Sequence, residues 1–448
     1  MIVRASGGKW VAYIDTREYR DGLGYRLMRG GWIYEREPRA HYWTTDPLVA
    51  SEWAEHADPA TRQALEDQVR RLNAAIEMSR ATSGHLEADL PLALTPYPYQ
   101  VAGIAACEGR RAVLLADEPG LGKTLQALAV VALRKHYPCL IVCPASMRLT
   151  WRYEILRTVS GVSESDISIV YGRSIADIAS TKYIIIGYDI LPQRWQQLAA
   201  VGIKAIILDE SHYTKTLTSK RTMAVQDLVK AAKPATLLLL TGTPVLNRPA
   251  ELVSQLEIMG VMRSFAEQRI MFYLRYCDAK RKTIWVRTAH GPMRRLVWDW
   301  SGASNTDELA RKLRATCMVR RIKQDVLKDL PPKRHQAIVL SSQDHRTLID
   351  AEVRAAQAVE SLRKKIGELQ QSGSPDAAAA LEQVRGDYSA RFAELARIRR
   401  EIGVAKVPHV AEIVDDLLTT HNKIVVWAHH HDVVDGLKGR LSHDHKVV

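Results

Sequence analysis

No run of about 18 consecutive apolar residues, the length a membrane-crossing helix needs, occurs in this sequence, so no membrane is expected as a partner. The opening residues, Met1-Ile-Val-Arg-Ala-Ser-Gly-Gly-Lys9, lack the apolar core of a secretory signal. Cysteine is scarce. The five present (Cys107, Cys139, Cys143, Cys277 and Cys317) are odd in number and lack the close pairing of a metal site. That argues against a disulfide framework or a zinc module and for reduced thiols inside a cell. Cys139 and Cys143 fall on an apolar run, where small residues suit a buried strand better than a metal. Internal repeats are missing too. What is left is the composition of a soluble globular protein, 46% hydrophobic and 25% charged, long enough at 448 residues for two to four domains.

Acidic residues are outnumbered, 50 against 63 basic, and the net charge of +13 is unevenly placed. Residues 1–95 hold 12 Lys and Arg against 14 Asp and Glu, whereas residues 261–335 hold 18 against 7. A basic segment so concentrated is the electrostatic footprint of a polyanion-binding surface, nucleic acid first. The plain alternative is a solvated face.

The stretch that organises the chain is Ala116-Asp-Glu-Pro-Gly-Leu-Gly-Lys-Thr124. Ala112–Ala116 reads as a buried strand, and Gln126–Arg134 as a helix packed back on its sheet. A strand, a glycine loop and a helix N-terminus make an anion site, with Gly120 and Gly122 letting the backbone approach a phosphate. Lys123 would reach the β- and γ-phosphates of ATP, and Thr124 would hold Mg²⁺. The strict phosphate-loop pattern has glycine where this chain has Asp117.

In chain order, residues 1–90 form a small aromatic-rich α+β module. Its strand candidates are Trp10–Ile14, Gly31–Tyr34 and His41–Thr45, broken by turns such as Asp21–Gly24. Its aromatics suit a small core, or contact with DNA bases. A helix follows, with Leu65, Val69, Leu72 and Ile76 at helical spacing behind Asp58-Pro59. Residues 91–260 alternate strands and helices. The strand candidates are Ala112–Ala116, Cys139–Cys143, Ser168–Tyr171, Tyr183–Gly187, Ala205–Leu208 and Thr236–Leu240. Continuous apolar runs separated by helices imply an α/β fold, a parallel sheet covered on both faces. The glycine loop, Asp209-Glu210 and Thr241-Gly-Thr-Pro244 all fall at carboxyl ends of those strands, where ligands sit. Residues 261–343 are a basic, irregular segment. Residues 344–402 read as a helical hairpin turning at Gly373–Asp376. Residues 403–448 hold a helix, Val404–Leu418, a strand, Lys423–Ala428, and the beginning of another at His445–Val448. His429-His-His431 at a strand end cannot turn three rings to one ion.

Asp209 suits a Mg²⁺ ligand, and Glu210 suits the base for water attacking the γ-phosphate. His212 either relays between nucleotide and motor motion or caps its loop. The order Tyr99-Gln100, Asp117–Thr124, Leu140-Ile-Val-Cys-Pro144, Asp209-Glu-Ser-His212 and Leu240-Thr-Gly-Thr-Pro244 resembles the superfamily two helicases, specifically their Swi/Snf-type DNA translocases. Arg275–Arg281, Trp298–Asn305 with Glu308-Leu309, Met318–Val326 with Leu330-Pro-Pro-Lys333, Gly403–His409 and Val425–Asp432 resemble the annealing-helicase branch. The resemblance covers about residues 94–440, and Trp43-Thr-Thr-Asp46 is weakly similar to accessory modules ahead of such motors.

That resemblance implies a RecA-like ATP-binding lobe at residues 91–260 and the start of a second lobe at 403–448. It implies that Gln100 reads adenine with Tyr99 bordering the base. Asp117, Gly120, Leu121, Gly122, Lys123, Thr124 and Leu125 line the phosphates, and Thr124 and Asp209 hold Mg²⁺. Ser146, Arg148, Lys215 and Thr241 contact DNA. Arg320, Arg321 and Lys323 contact DNA or brace the lobes. The function implied is an ATP-dependent motor on double-stranded or forked DNA, located inside the cell with its DNA, in the cytoplasm if the source is bacterial or viral. The family's later motifs, including arginines that cross the cleft, are not in these residues. The expectation is therefore a fragment that binds ATP and DNA and hydrolyses weakly until another chain supplies the rest of the second lobe. An RNA-directed helicase is the third reading, and the Swi/Snf-type middle segment argues against it.

Overall fold

The structure, a computed structural model, describes residues 1–6, 9–14, 23, 27, 32–35, 41–44, 46–172, 181–244, 248–266, 268–288, 291–331, 334–340, 345–372, 375–443 and 445–447. The expected turns Asp21–Gly24 and Gly373–Asp376 lie largely outside them. The chain divides into two compact units, Met1–Lys280 with Asp299–Leu330, and Arg281–Trp298 with Pro331–Val448.

The first unit opens with a four-stranded antiparallel sheet in the order β1-β2-β4-β3, built from β1 (Ile2–Ser6), β2 (Lys9–Tyr13), β3 (Ile33–Glu35) and β4 (His41–Thr44). Trp10, Trp32 and Tyr42 are core residues, packed with Val3, Ala12 and Leu65. A short helix α1 (Pro47–Ser51) leads to α2 (Pro59–Arg80). The Asp58 carboxylate caps α2 by accepting from Thr61 N at 2.9 Å, and Pro59 sits at the first helical position, where no N–H is needed.

After α3 (Pro98–Ala105) come β5 (Ala112–Leu115), α4 (Lys123–Arg134), β6 (Cys139–Cys143), α5 (Arg148–Thr158), β7 (Ile167–Ile169) and β8 (Tyr183–Gly187). Then follow α6 (Trp195–Ala199), β9 (Ala205–Leu208), α7 (Lys220–Ala232), β10 (Thr236–Leu240), α8 (Leu252–Met259) and α9 (Arg269–Tyr276). A two-stranded sheet of β11 (Lys280–Thr288) and β12 (Gly291–Asp299) interrupts the unit before α10 (Thr306–Thr316), β13 (Met318–Val319) and the short α11 (Lys323–Val326). The segment 261–343 is therefore not irregular throughout, because its described residues supply three α-helices, a strand pair and an edge strand.

β13 joins the main sheet, whose seven strands run parallel in the order β13-β5-β10-β9-β6-β8-β7. Side chains alternate strictly between two cores, as the period of two demands. Leu114, Leu140, Val142, Ile184, Ile206 and Leu239 face α7, α8, α9 and α10. Val113, Leu115, Ile141, Ile185, Ile207 and Leu238 face α4 and α5. Burying each such side chain contributes about 1.5–3 kcal/mol, so the sheet fixes its own register and with it the positions of the strand ends.

In the second unit α12 (Arg346–Ser372) packs on α13 (Pro375–Ala405) through Ala355, Leu395 and Ile398. The helix expected at Val404–Leu418 is instead split at Lys406. A new helix, α14 (Val407–Leu418), starts there with proline in its first turn. It packs against α15 (His431–Leu441) through Val407, Ala411, Val414 and Leu437. Lys423–Ala428 is not the strand its composition suggests, and residues 445–447 form none either. A strand is stable only when its N–H and C=O groups find a neighbouring ladder, and among the described residues none flanks this run. Val425 is 73% and Trp427 90% exposed. No helix of the described residues is long and apolar enough to cross a membrane.

All five cysteines are buried and free. Burial pushes the thiols of Cys107, Cys143 and Cys317 up to about 12 and that of Cys277 to about 11, and it raises Cys139 as well. Only the thiolate reacts, so at pH 8 an alkylating reagent should label none of the five in the native protein within minutes, and all five in denaturant. Mass spectrometry reads the count; prompt native labelling would contradict this packing.

Candidate functional site

Strands β13, β5, β10 and β9 are neighbours in that order and parallel. Their carboxyl ends deliver Arg320, Ala116, Thr241 and Asp209 to one edge of the sheet, the edge at which open α/β folds bind ligands.

The loop between β5 and α4 is shaped by glycine. Gly120 has φ of 88° and Gly122 of 72°, backbone states in which a Cβ is strained. A Cβ on Gly122 would also collide with Nε2 of Gln100. Gly122 is the N-cap of α4, so the free N–H groups and the positive end of a 12-residue helix open onto the loop. Leu121 is fully buried, and Thr124 and Leu125 are half-buried in the first turn. The Lys123 ammonium folds back and donates to the Asp117 carbonyl at 2.9 Å. Burial lowers its pKa, against the opposing pull of the Glu210, Asp117 and Asp209 carboxylates.

Asp117 does not face the loop's open side. It is wholly buried and forms a forked ion pair with Arg321, itself 2% exposed. Oδ1 accepts from Arg321 N at 2.9 Å and Nε at 3.0 Å, and Oδ2 accepts from Nη2 at 2.6 Å and from Gln126 Nε2 at 3.0 Å. Arg321 also donates to Gln126 Oε1 at 2.8 Å and to the Tyr99 carbonyl at 2.6 Å. The guanidinium thus ties β13, the glycine loop, α4 and α3 together. A Cβ on Gly103 of α3 would collide with Gln126 Oε1 and Arg321 Nη2. Arg321, expected to contact DNA or brace the lobes, instead has its charge paired inside the first unit. Arg320 is also turned inward, donating to the Ala116 carbonyl at 2.6 Å and approaching that of Gly242 at 3.4 Å. Ser79 at the end of α2 holds this segment from outside the sheet. Its hydroxyl donates to Met318 O at 2.8 Å and its carbonyl accepts from Arg320 N at 3.1 Å.

Asp209 is held at every polar atom. Its amide donates to Val142 O at 2.8 Å, and its carbonyl accepts from the Tyr188 hydroxyl at 2.8 Å. Carboxylate Oδ2 accepts from the indole N–H of Trp151 at 2.8 Å, and Oδ1 from Glu210 N at 3.0 Å. Burial raises its pKa, with the indole bond and Lys123 opposing and Glu210 reinforcing. Glu210, in a left-handed conformation at φ 46°, lies 3.2 Å from His212 Nδ1, which lies 3.5 Å from the Thr241 hydroxyl. Glu210, His212 and Thr241 thus form a continuous polar chain from β9 to β10. Thr241, expected to contact DNA, is fully buried and accepts from Thr243 N at 3.2 Å. The loop after it packs on the glycine loop, because a Cβ on Gly242 would sit 2.5 Å from Pro119 Cγ.

Gln100 is buried, accepting from Tyr97 N at 2.9 Å and donating to Leu121 O at 3.3 Å. Tyr99 is buried and stacked on Tyr97, with ring centroids 5.7 Å apart, and burial raises its pKa. Both tyrosines line a groove of about 390 Å³ closed on its far side by Val326–Leu330. Ser146 is exposed in the turn before α5. Arg148 lies with its guanidinium 4.5 Å from the Tyr171 ring, and Lys215 pairs loosely with Glu251 at 3.6 Å.

Trp151, Gln126 and Arg321 were not singled out for these contacts by sequence. The signals were present. Trp151 and Ile155, four apart on a helix otherwise rich in charge, mark an inward face, and an acid in place of the loop's first glycine calls for a buried cation. Removing one partner of a buried ion pair leaves the other charge uncompensated, at about 3–5 kcal/mol. Asp117→Ala and Arg321→Ala should each destabilise the first unit by about that much in urea unfolding, and the double variant by less than the sum. Strict additivity would show that the pair does not couple.

The chain is 34% identical over 374 residues to the SWI/SNF-related matrix-associated actin-dependent regulator of chromatin subfamily A-like protein 1 of Xenopus laevis, covering 82% of this chain and 34% of that protein. It is 31% identical over 348 residues to the DNA annealing helicase and endonuclease ZRANB3 of Bos taurus, covering 74% of this chain and 29% of that protein. The chain thus spans about a third of the length of these curated relatives. A solved Sulfolobus solfataricus SWI2/SNF2 ATPase core in complex with dsDNA aligns at a TM-score of 0.42 and 22% identity, over 67% of this chain and 60% of that one. The family model for the SNF2-related domain matches residues 32–384, and this chain belongs to that family.

Proposed function

We propose that this chain is a DNA-dependent ATPase motor that couples ATP hydrolysis to movement along double-stranded or forked DNA. The observation that carries the reading is the convergence, at the ends of adjacent parallel strands, of the glycine loop with Lys123, the Asp209-Glu210 carboxylates and the Thr241 loop. Its family membership and a relative named as a DNA annealing helicase support it.

In this reading the N–H groups of the glycine loop and the first turn of α4 bind the triphosphate. The Lys123 ammonium leaves the Asp117 carbonyl for the β- and γ-phosphates. Mg²⁺ suits the hard oxygen donors available, the Thr124 hydroxyl and the Asp209 carboxylate. Held there, the ion would offset the negative charge of the phosphates. Glu210 orients the attacking water and takes its proton. The chain through His212 to Thr241 carries the state of the nucleotide to the β10 loop. The groove beside Tyr97, Tyr99 and Gln100 takes the base. Ser146, Arg148 and Lys215 hold the DNA backbone, through contacts that carry no sequence information and weaken with salt.

ATP turnover measured with and without duplex and forked DNA tests this. Turnover that is weak for these 448 residues alone but stimulated by DNA is expected, and Lys123→Ala should abolish it while leaving DNA affinity within about twofold, because phosphate-backbone contacts lie elsewhere. Turnover indifferent to DNA would sink the motor reading. A second test concerns the orientation of Asp209. Trp151→Phe keeps the ring's bulk and removes the indole donor. Outer partners of metal ligands typically matter by about 10–100-fold in affinity, so Mn²⁺ binding in the presence of ADP, read by electron paramagnetic resonance, should weaken by about that factor. Unchanged Mn²⁺ affinity would show that Asp209 is held without the indole.

A further inference from the structure

The pairing of β13 with β5 does not stop where the sheet ends. Leu114 N donates to Cys317 O at 2.8 Å, Ala116 N to Val319 O at 2.7 Å and Glu118 N to Arg321 O at 3.0 Å. The two-residue register of a parallel ladder thus runs on into the glycine loop, and its next step sets residue 323 beside residue 120. Lys323 is there. Its backbone N–H donates to Glu118 Oε2 at 2.6 Å, and its Cε and Nζ lie 3.5 Å from the point a Cβ would occupy on Gly120. The Lys323 side chain thus lies in van der Waals contact with the loop at Gly120.

No salt bridge neutralises the charge of Lys323 among the described residues. The two carboxylates nearest in the loop are already engaged, Asp117 with Arg321 and Gln126, and Glu118 with the backbone N–H of Lys323 itself. Side-chain ammonium groups half-buried beside a phosphate-sized cradle of N–H donors suit an anion.

We propose that Lys323 is a second cationic contact to the phosphate chain of the bound nucleotide, supplied by the extension of the edge strand and acting beside Lys123. The assignment rests on the nucleotide reading above and goes beyond it. It separates Lys323 from Arg320 and Arg321, which brace the loop from within, and it takes Lys323 away from DNA.

Calorimetric titration of the 448-residue chain with ATP, ADP and AMP in Mg²⁺ tests it, using wild type, Lys323→Gln and Lys323→Arg. Loss of one charge-assisted hydrogen bond predicts ATP affinity lower by roughly 10- to 100-fold in Lys323→Gln. AMP affinity should stay near wild type, and Lys323→Arg should retain most of the ATP affinity. Duplex DNA affinity at low salt should not move. Unchanged ATP affinity in Lys323→Gln overturns the proposal and leaves the nucleotide reading standing, whereas wild type that binds no ATP removes the reading itself. An equal loss for all three nucleotides would mark a structural role for Lys323, and weakened DNA binding with intact ATP binding would make it a DNA contact. Either result overturns the assignment.

Discussion

A carboxylate buried without a partner is among the costlier things a fold can contain, and Asp117 is buried completely at the first position of the glycine loop. Everything near it follows from the need to neutralise it. Arg321 supplies the opposite charge in a forked geometry that lysine could not match. Gln126 closes the triangle from α4, and Tyr99 offers its carbonyl to the remaining guanidinium nitrogen. Because each oxygen and nitrogen of the pair is hydrogen-bonded, the desolvation cost is offset, and four separate elements are fixed relative to one another. The loop's curvature, the start of α4 and the position of Lys123 all depend on that arrangement.

The carboxylate at the end of β9 follows a different design. Asp209 keeps an accessible edge and is oriented by an indole N–H, a backbone N–H and a tyrosine hydroxyl on its carbonyl. Two acids on one edge of one sheet thus have opposite assignments, set by surroundings. The first is neutralised by a guanidinium and serves as scaffold. The second is held in place by neutral donors and keeps one edge open.

Much of this was legible in the sequence because buried parallel strands read as unbroken apolar runs. Cys139–Cys143, Tyr183–Gly187, Ala205–Leu208 and Thr236–Leu240 have the limits that their composition suggests. The glycine pattern and the carboxylate pair placed two parts of the candidate site correctly at the sheet's edge. What escaped was set by contacts distant in sequence. β13 is two residues long, too short to show a period, and it counts as a strand only because β5 is beside it. Lys423–Ala428 shows the converse, since β-branched composition describes a preference that no ladder here satisfies. The inward turn of Arg321 depends on Asp117, and no local pattern couples positions so far apart.

That separation has a consequence for how the molecule is made. Asp117 and Arg321 are 204 residues apart. At a synthesis rate of about 5–20 residues per second, roughly ten to forty seconds pass between their appearance on a ribosome. Throughout that interval the strand, glycine loop and helix already exist as sequence, but Asp117 has no counter-charge and cannot be buried at low cost. The candidate site around the glycine loop is therefore one of the last parts of the first unit to close, assembled only after the edge strand has emerged.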